Sequence, residues 1–91
     1  MNNIPDEDGQ DFNPSLTVLK RIFLVLQEEN SVTRTALSQK ANLQYSRLAE
    51  HLKWLEANQL VRSIVEDGRV KITFTNAGRE FAKIFARPAY R

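Results

Sequence analysis

Few residues in this sequence have the types and spacing that covalent chemistry needs. There is no cysteine, so neither a disulfide framework nor a thiolate zinc site can form. The lone histidine, His51, has no second histidine or carboxylate at the spacing of a metal site. The sequence also lacks a glycine-rich phosphate loop and a pair of carboxylates on one predicted face. We therefore expect no enzyme activity and no metal or cofactor site.

Charge is distributed unevenly along the chain. The first 13 residues carry four of the 11 acidic residues, Asp6, Glu7, Asp8 and Asp11, and none of the 13 basic residues. The net charge of +2 therefore combines an acidic N-terminal segment with a basic remainder. A basic domain of this kind suits a polyanion-binding surface, and the alternative is a merely solvated surface. Charge alone favours neither.

The length and composition are those of one small globular domain. We expect residues 1–13 to be a disordered acidic arm, residues 14–88 the folded domain and residues 89–91 a tail. No apolar run approaches the length of a membrane span, and the N-terminus lacks the basic-then-apolar order of a signal peptide. The expected location is therefore the cytoplasm, with no membrane partner.

Three helices are predicted in the first two-thirds of the chain. Asn13 and Pro14 favour a helix start, and apolar residues at helical spacing continue to about residue 28, with Leu16 in the core stripe. Thr33 is a suitable N-cap for a second helix over 34–40, and Asn42 can adopt the left-handed conformation that ends it. A third helix over about 44–57 is amphipathic. The link between these last two helices is only about three residues, which predicts a sharp helix-turn-helix crossing.

A β-hairpin is predicted over residues 60–75. Asp67-Gly68 is a strong signal for a type I′ turn, because both central residues of that turn need positive φ. The turn sets the register, which pairs Val61 with Phe74 and places alternate residues on the same face. A short strand at Val32 precedes the second helix, and a last helix over about 76–86 follows the hairpin.

The segment LQYSRLAEHLKWLEANQLV, residues 43–61, resembles the recognition-helix region of winged-helix regulators. The Thr75-Asn76-Ala77-Gly78 step is similar to the strand-to-helix junction of the same family. The resemblance covers about residues 15–86. It is closest to small stand-alone archaeal-type winged-helix regulators, and looser to the MarR, ArsR and PadR groups. It implies an α+β, mostly helical winged helix-turn-helix fold: a three-helix core, a hairpin wing and a C-terminal helix. Gln59 departs from the family's usual glycine, so we expect Asn58 to supply the left-handed residue there.

This resemblance implies sequence-specific binding of double-stranded DNA by a transcriptional regulator located on the nucleoid. The third helix would enter the major groove, and the wing, residues 61–75, would lie on the DNA backbone. The positions that match base-reading residues are Tyr45, Ser46, Arg47, Glu50 and His51. Arg47 is the strongest of them, because its guanidinium can donate two parallel hydrogen bonds to guanine. Candidates for phosphate contacts are Arg34, Lys40, Lys53, Arg62, Arg69 and Lys71.

Structural alternatives accompany these assignments. Tyr45 can pack at the helix start, His51 can be a half-buried surface histidine, and Glu50 can belong to a solvated face. The alternative function is a winged-helix protein–protein interaction module in a transcription, replication or membrane-remodelling assembly. Such a module tends to expose apolar residues on its third helix. The polar side chains predicted there favour DNA.

A homodimer is also expected, because one recognition helix rarely gives useful specificity by itself. Two copies related by a two-fold axis would contact half-sites about one helical turn apart. The first and last helices carry more apolar residues than a small core needs. The predicted interface residues are Val18, Ile22, Val25, Phe81, Ile84 and Phe85. The alternative is that these two helices pack on each other and bury them all.

Overall fold

The structure, a computed structural model, describes residues 12–85. Its elements are α1 (Leu16–Glu29), β1 (Ser31–Val32), α2 (Arg34–Lys40), α3 (Tyr45–Ala57), β2 (Val61–Glu66), β3 (Arg69–Phe74) and α4 (Asn76–Phe85). The strands form one antiparallel sheet in the order β1-β3-β2. This confirms the predicted α+β, mostly helical fold class. Residues 1–11 of the arm predicted over 1–13, and the tail predicted over 89–91, lie outside the described residues. Within residues 12–85, no helix is long and apolar enough to cross a membrane.

The start of α1 is two residues later than predicted. The Ser15 hydroxyl accepts a hydrogen bond from the backbone N–H of Val18 at 3.2 Å, so Ser15 is the N-cap in place of Asn13. Leu16 is therefore the first helical residue. It is 60% exposed, which contradicts its predicted place in the core.

The turn between α2 and α3 is closed by hydrogen bonds at both ends. Thr33 caps α2 as predicted, with its hydroxyl accepting from the Ala36 N–H at 3.1 Å. Asn42 has the predicted positive φ, 57°. The Leu43 N–H donates to the Ser38 carbonyl at 2.9 Å, and the Ser38 hydroxyl donates back to the Leu43 carbonyl at 2.6 Å. This double link fixes the direction in which α3 leaves α2.

The end of α3 is a Schellman motif in which Gln59, and not Asn58, has positive φ. The φ angle is 60° at Gln59 and −94° at Asn58, so the expectation for Asn58 was wrong. Asn58 instead donates its side-chain amide to the Trp54 carbonyl at 2.9 Å. The Leu60 N–H donates to the Leu55 carbonyl at 2.9 Å, which closes the motif around Gln59.

The hairpin has the predicted register. Val61 pairs with Phe74 and Glu66 pairs with Arg69, while Asp67 and Gly68 have φ angles of 54° and 74°. Val32 pairs with Ile72, as a short third strand.

The core is built around α1, which contacts α2, α3, α4, β1 and β3. Because neighbours surround so much of this helix, Val18, Ile22 and Val25 are all buried within the single chain. Their prediction as dimer-interface residues was wrong. Phe81 and Phe85 are half-buried against Phe23, at ring-centroid distances of 6.0 and 5.7 Å, so they too are core residues. Of the six predicted residues, Ile84 is the exception at 75% exposure.

Candidate nucleic-acid interface

The third helix presents a polar face to solvent. Leu48, Leu52 and Leu55 of α3 are buried in the core. The side of the helix away from them carries Ser46, Arg47, Glu50 and Lys53, all of which are exposed. Within residues 12–85, none of these four side chains forms an ion pair or a side-chain hydrogen bond. The face is therefore available to an external partner.

Tyr45 lies at the first position of α3, directly after the closed turn. Its side chain is 52% exposed. About half of the side chain is covered, so contact with DNA and packing at the helix start both stay predictions for Tyr45. With Ser46, Arg47 and Glu50 on the following turns, four of the five predicted base-reading residues lie together at one end of the helix.

His51 is the fifth, and its prediction as a base-reading residue was wrong. The side chain is only 1% exposed, and both ring nitrogens are engaged. Nε2 accepts the backbone N–H of Ser15 at 3.0 Å. Nδ1 lies 2.8 Å from the Arg47 carbonyl, to which it donates, because Nε2 is occupied as an acceptor. His51 therefore joins the start of α1 to the first turns of α3.

Three of the predicted phosphate-contacting cations already have carboxylate partners. Arg34 is 3.5 Å from Glu56, Lys40 is 3.5 Å from Glu29, and Lys71 is 3.2 Å from Glu66. Solvent-accessible pairs of this kind contribute only about 0–1 kcal/mol, so a phosphate can replace the carboxylate at little cost. The other three, which have no ion pair in the described part of the chain, are Lys53, Arg62 and Arg69.

The outer face of the wing (β2, β3 and their turn) is of mixed charge. Arg62, Lys71 and Arg69 share it with Glu66 through the strand register. The carboxylate of Glu66 accepts hydrogen bonds from the Ser31 hydroxyl at 2.8 Å and from Lys71 at 3.2 Å. The Ser31 hydroxyl first, and Lys71 second, hold the pKa of Glu66 below its ordinary value. The carboxylate therefore stays ionised, which reduces the attraction of this part of the wing for phosphate.

Arg21 is a cation near the interface that sequence reasoning missed. Its guanidinium Nη1 donates to the Asn42 carbonyl at 3.3 Å, so this residue of α1 lies beside the turn that precedes α3. Arg21 is exposed on α1. The helical pattern of α1 could not show that this residue borders the helix-turn-helix, because that depends on the packing of α1 against α2 and α3.

No group of three or more histidine, cysteine, aspartate or glutamate residues that could hold a metal ion occurs in residues 12–85. The candidate site is a surface of hydrogen-bonding and charged side chains, in which cations outnumber the carboxylates of Glu50 and Glu66. Its parts are the first turns of α3, the turn before it with Arg21, and the wing on the other side.

Comparison with known proteins gives structural likenesses only. No protein-family model matches the sequence. No curated protein matches it either. Solved structures do match: a MarR family transcriptional regulator from Silicibacter pomeroyi DSS-3 has 22% identity and a TM-score of 0.66, covering 78% of this chain and 51% of that one. A second MarR family regulator from Silicibacter pomeroyi has 25% identity and a TM-score of 0.69, covering 87% of this chain and 54% of that one.

A MarR family protein from Bacillus stearothermophilus matches with 23% identity and a TM-score of 0.67, over 87% of this chain and 56% of that one. The chain thus spans about half the length of these three proteins. At identities of 22%, 25% and 23%, these structural similarities show the fold alone. They confirm that the chain has the winged helix-turn-helix fold of MarR-type transcriptional regulators, as the resemblance of residues 43–61 implied.

Proposed function

We propose that this winged-helix domain binds double-stranded DNA and acts as a transcriptional regulator. The observation that carries the proposal is the exposed face of α3. Ser46, Arg47, Glu50 and Lys53 project from it, and none has an intramolecular side-chain partner within residues 12–85. Polar side chains left unpaired in this way on a helix that follows a tight turn are suited to hydrogen bonding with base edges and phosphates.

In the proposed complex, the N-terminal half of α3 enters the major groove. Arg47 donates two hydrogen bonds to a guanine, and Ser46 donates to a phosphate or a base edge. Glu50 accepts a hydrogen bond from the N4 amino group of cytosine, or it repels phosphate and so limits the DNA sites that the domain can bind. Lys53, Arg62 and Arg69 contact phosphates directly, while Arg34, Lys40 and Lys71 exchange their carboxylate partners for phosphates.

Two of the similar solved structures are of MarR family transcriptional regulators, which supports this function. A regulator of this kind would work in the cytoplasm, on the nucleoid. We further propose that two copies bind each site, because one α3 contacts too few base pairs for useful specificity. The alternative function, a protein–protein module, is disfavoured because Leu48, Leu52 and Leu55 of α3 are in the core, while the face opposite to them is polar.

Fluorescence anisotropy with a labelled random-sequence duplex tests the proposal. We expect the wild-type chain to bind at low salt, with affinity that falls steeply as the salt concentration rises, because bound cations release counterions from the DNA. The double variant R47A/K53A removes two cations from α3 and should bind at least tenfold more weakly. R79A/K83A is the matched control, since it removes one arginine and one lysine from exposed positions on α4.

The control variant should keep most of the wild-type affinity. Equal losses in the two double variants would mean that binding depends only on net charge, and would contradict the assignment of α3. No binding by the wild-type chain to random or selected duplexes would overturn the DNA-binding function itself.

A further inference from the structure

We infer that the exposed face of α3 is also a docking surface for the chain's own acidic segment, residues 6–11. The inference rests on the proposed function, because the segment would compete with DNA for that surface. The segment contains Asp6, Glu7, Asp8 and Asp11 and no basic residue. Three observations support the docking: where the chain enters the folded domain, which cations lie next to that point, and how far the segment can reach.

The first described residues of the chain contact α3 directly. Phe12, the residue directly after the acidic segment, packs edge-on against the His51 ring with centroids 4.9 Å apart. Three residues later, the Ser15 N–H donates to His51 Nε2 at 3.0 Å. Residues 12–15 are therefore held against a side chain of α3. The acidic segment is joined to the folded domain at this point of α3.

The nearest cation on α3 is Arg47. The His51 ring lies 2.8 Å from the Arg47 carbonyl, and on a helix with 3.6 residues per turn two positions four apart differ by only about 40°. Arg47 thus stands one turn from the place where Phe12 packs, on the side that leads to the exposed face. Ser46, Glu50 and Lys53 follow across that face.

The charges on this part of the surface are complementary to the segment. Among the described residues, Arg34, Lys40, Lys71 and Lys83 each have a carboxylate within 3.5 Å. Arg21, Arg47 and Lys53 have none in residues 12–85, and neither do Lys20, Arg62, Arg69 and Arg79. Arg47 and Lys53 are the cations of α3, and Arg21 of α1 lies beside the turn that leads to it. Together they outnumber Glu50, the carboxylate on the exposed face of α3. Carboxylate oxygens accept the same charge-assisted hydrogen bonds that phosphate oxygens accept. A segment with four carboxylates is therefore a chemically suitable competitor for DNA.

The segment is also long enough. Six extended residues span about 20 Å at 3.3–3.6 Å each, and the 13 residues of α3 have a length of about 20 Å at 1.5 Å each. The four carboxylates of the segment can therefore lie along α3, starting at Arg47, without movement of the folded domain. Competition for DNA follows, and it should weaken with salt because the contacts are solvent-exposed.

The test compares two double variants of the full chain with the same change in net charge. D8N/D11N neutralises the acidic segment, and E28Q/E80Q neutralises two exposed acids on α1 and α4. With a random-sequence duplex at low salt, D8N/D11N should bind about three- to tenfold more tightly than E28Q/E80Q. At 0.5 M NaCl, where the Debye length is only a few Å, the difference should disappear. Equal affinities of the two variants at low salt would overturn the inference.

A second measurement needs no DNA and so separates this inference from the proposed function. Two-dimensional NMR of the wild-type chain at low salt should show the Arg47 side-chain signal shifted by D8N/D11N and left in place by E28Q/E80Q. Addition of salt to the wild type should reproduce the D8N/D11N shift. An Arg47 signal that is the same in all three proteins overturns the docking, whether or not the chain binds DNA. Failure of every protein to bind duplex would instead overturn only the proposed function.

Discussion

The imidazole of His51 joins two helices through two hydrogen bonds and one aromatic contact. Its loss in His51→Ala leaves the Ser15 N–H without its acceptor, removes the side-chain bond to the Arg47 carbonyl and opens a cavity beneath Phe12. Unsatisfied buried groups and lost packing together cost about 2–4 kcal/mol. We expect that decrease in the free energy of unfolding in a urea titration followed by circular dichroism.

His51→Gln is the informative control for this residue. A glutamine amide can accept at its oxygen and donate at its nitrogen, so it can keep part of the bridge and should cost less than alanine. If alanine and glutamine destabilise the protein equally, the hydrogen bonds of His51 are not what stabilises this junction.

Arg47 and Lys53 are predicted to differ in the information they contribute to DNA recognition. If Arg47 makes a bidentate contact with guanine, Arg47→Ala should lose about 1–3 kcal/mol on a preferred site and relax the preference at one base pair. Lys53→Ala should weaken binding to all sequences alike, because phosphate contacts carry no sequence information. Selection from a random duplex library, done with each variant, measures both effects. An unchanged sequence preference in Arg47→Ala would show that the assigned base-reading position is wrong.

At the scale of elements, the position of α4 depends on a glycine. A Cβ at Gly78 would collide with the backbone carbonyl of Leu60, which belongs to the chain just before β2 and cannot rotate away. Gly78→Ala should therefore force α4 off the sheet and cost about 1–3 kcal/mol of stability, in spite of the higher helix propensity of alanine. Thermal unfolding followed by calorimetry measures the change.

Gly68, in the hairpin turn, provides the comparison for Gly78. A Cβ there would meet open space, and the cost of Gly68→Ala comes from its φ of 74° alone. That substitution should alter the turn and leave the packing of α4 intact, so Phe81 and Phe85 should keep their ring contacts with Phe23 in NMR spectra. A stable Gly78→Ala variant with the same α4 contacts would contradict the close approach to Leu60.

The elements that sequence predicted best are those specified by local chemistry. The Asp67-Gly68 turn and the alternation of the strands specify the same register. Thr33 caps α2 as expected, and the Thr75 hydroxyl likewise caps α4. The errors concern contacts between elements. A helical pattern shows which sides of α1 are apolar, but not that neighbours cover Val18, Ile22 and Val25 as well as the main stripe. His51 was misassigned for the same reason, since its partners lie in residues 12–15, which sequence reasoning placed in or next to the arm.

For the molecule as a whole, the distribution of partners among the cations is more informative than the net charge of +2. Arg34, Lys40, Lys71 and Lys83 have ion pairs, whereas the cations without one in residues 12–85 are Lys20, Arg21, Arg47, Lys53, Arg62, Arg69 and Arg79. On α3 and beside the turn before it, a polyanion would meet Arg47, Lys53 and Arg21 without having to displace a carboxylate partner from any of them. The proposed DNA contact and the proposed docking of the acidic segment therefore share this surface.

The interface of the predicted homodimer is expected on α4. Val18, Ile22, Val25, Phe81 and Phe85 contribute to the core, and Ile84 is the predicted interface residue whose side chain is exposed. We expect sedimentation equilibrium at micromolar concentration to give about twice the chain mass of 10.5 kDa. Ile84→Glu should return the mass to 10.5 kDa, because a charge in the middle of an apolar contact is costly.

Leu24→Glu is the matched control, since Leu24 is an exposed apolar residue on α1, and it should leave the dimer intact. A wild-type mass of 10.5 kDa in the absence of DNA would contradict the dimer, and a dimer that survives Ile84→Glu would exclude α4 as its interface.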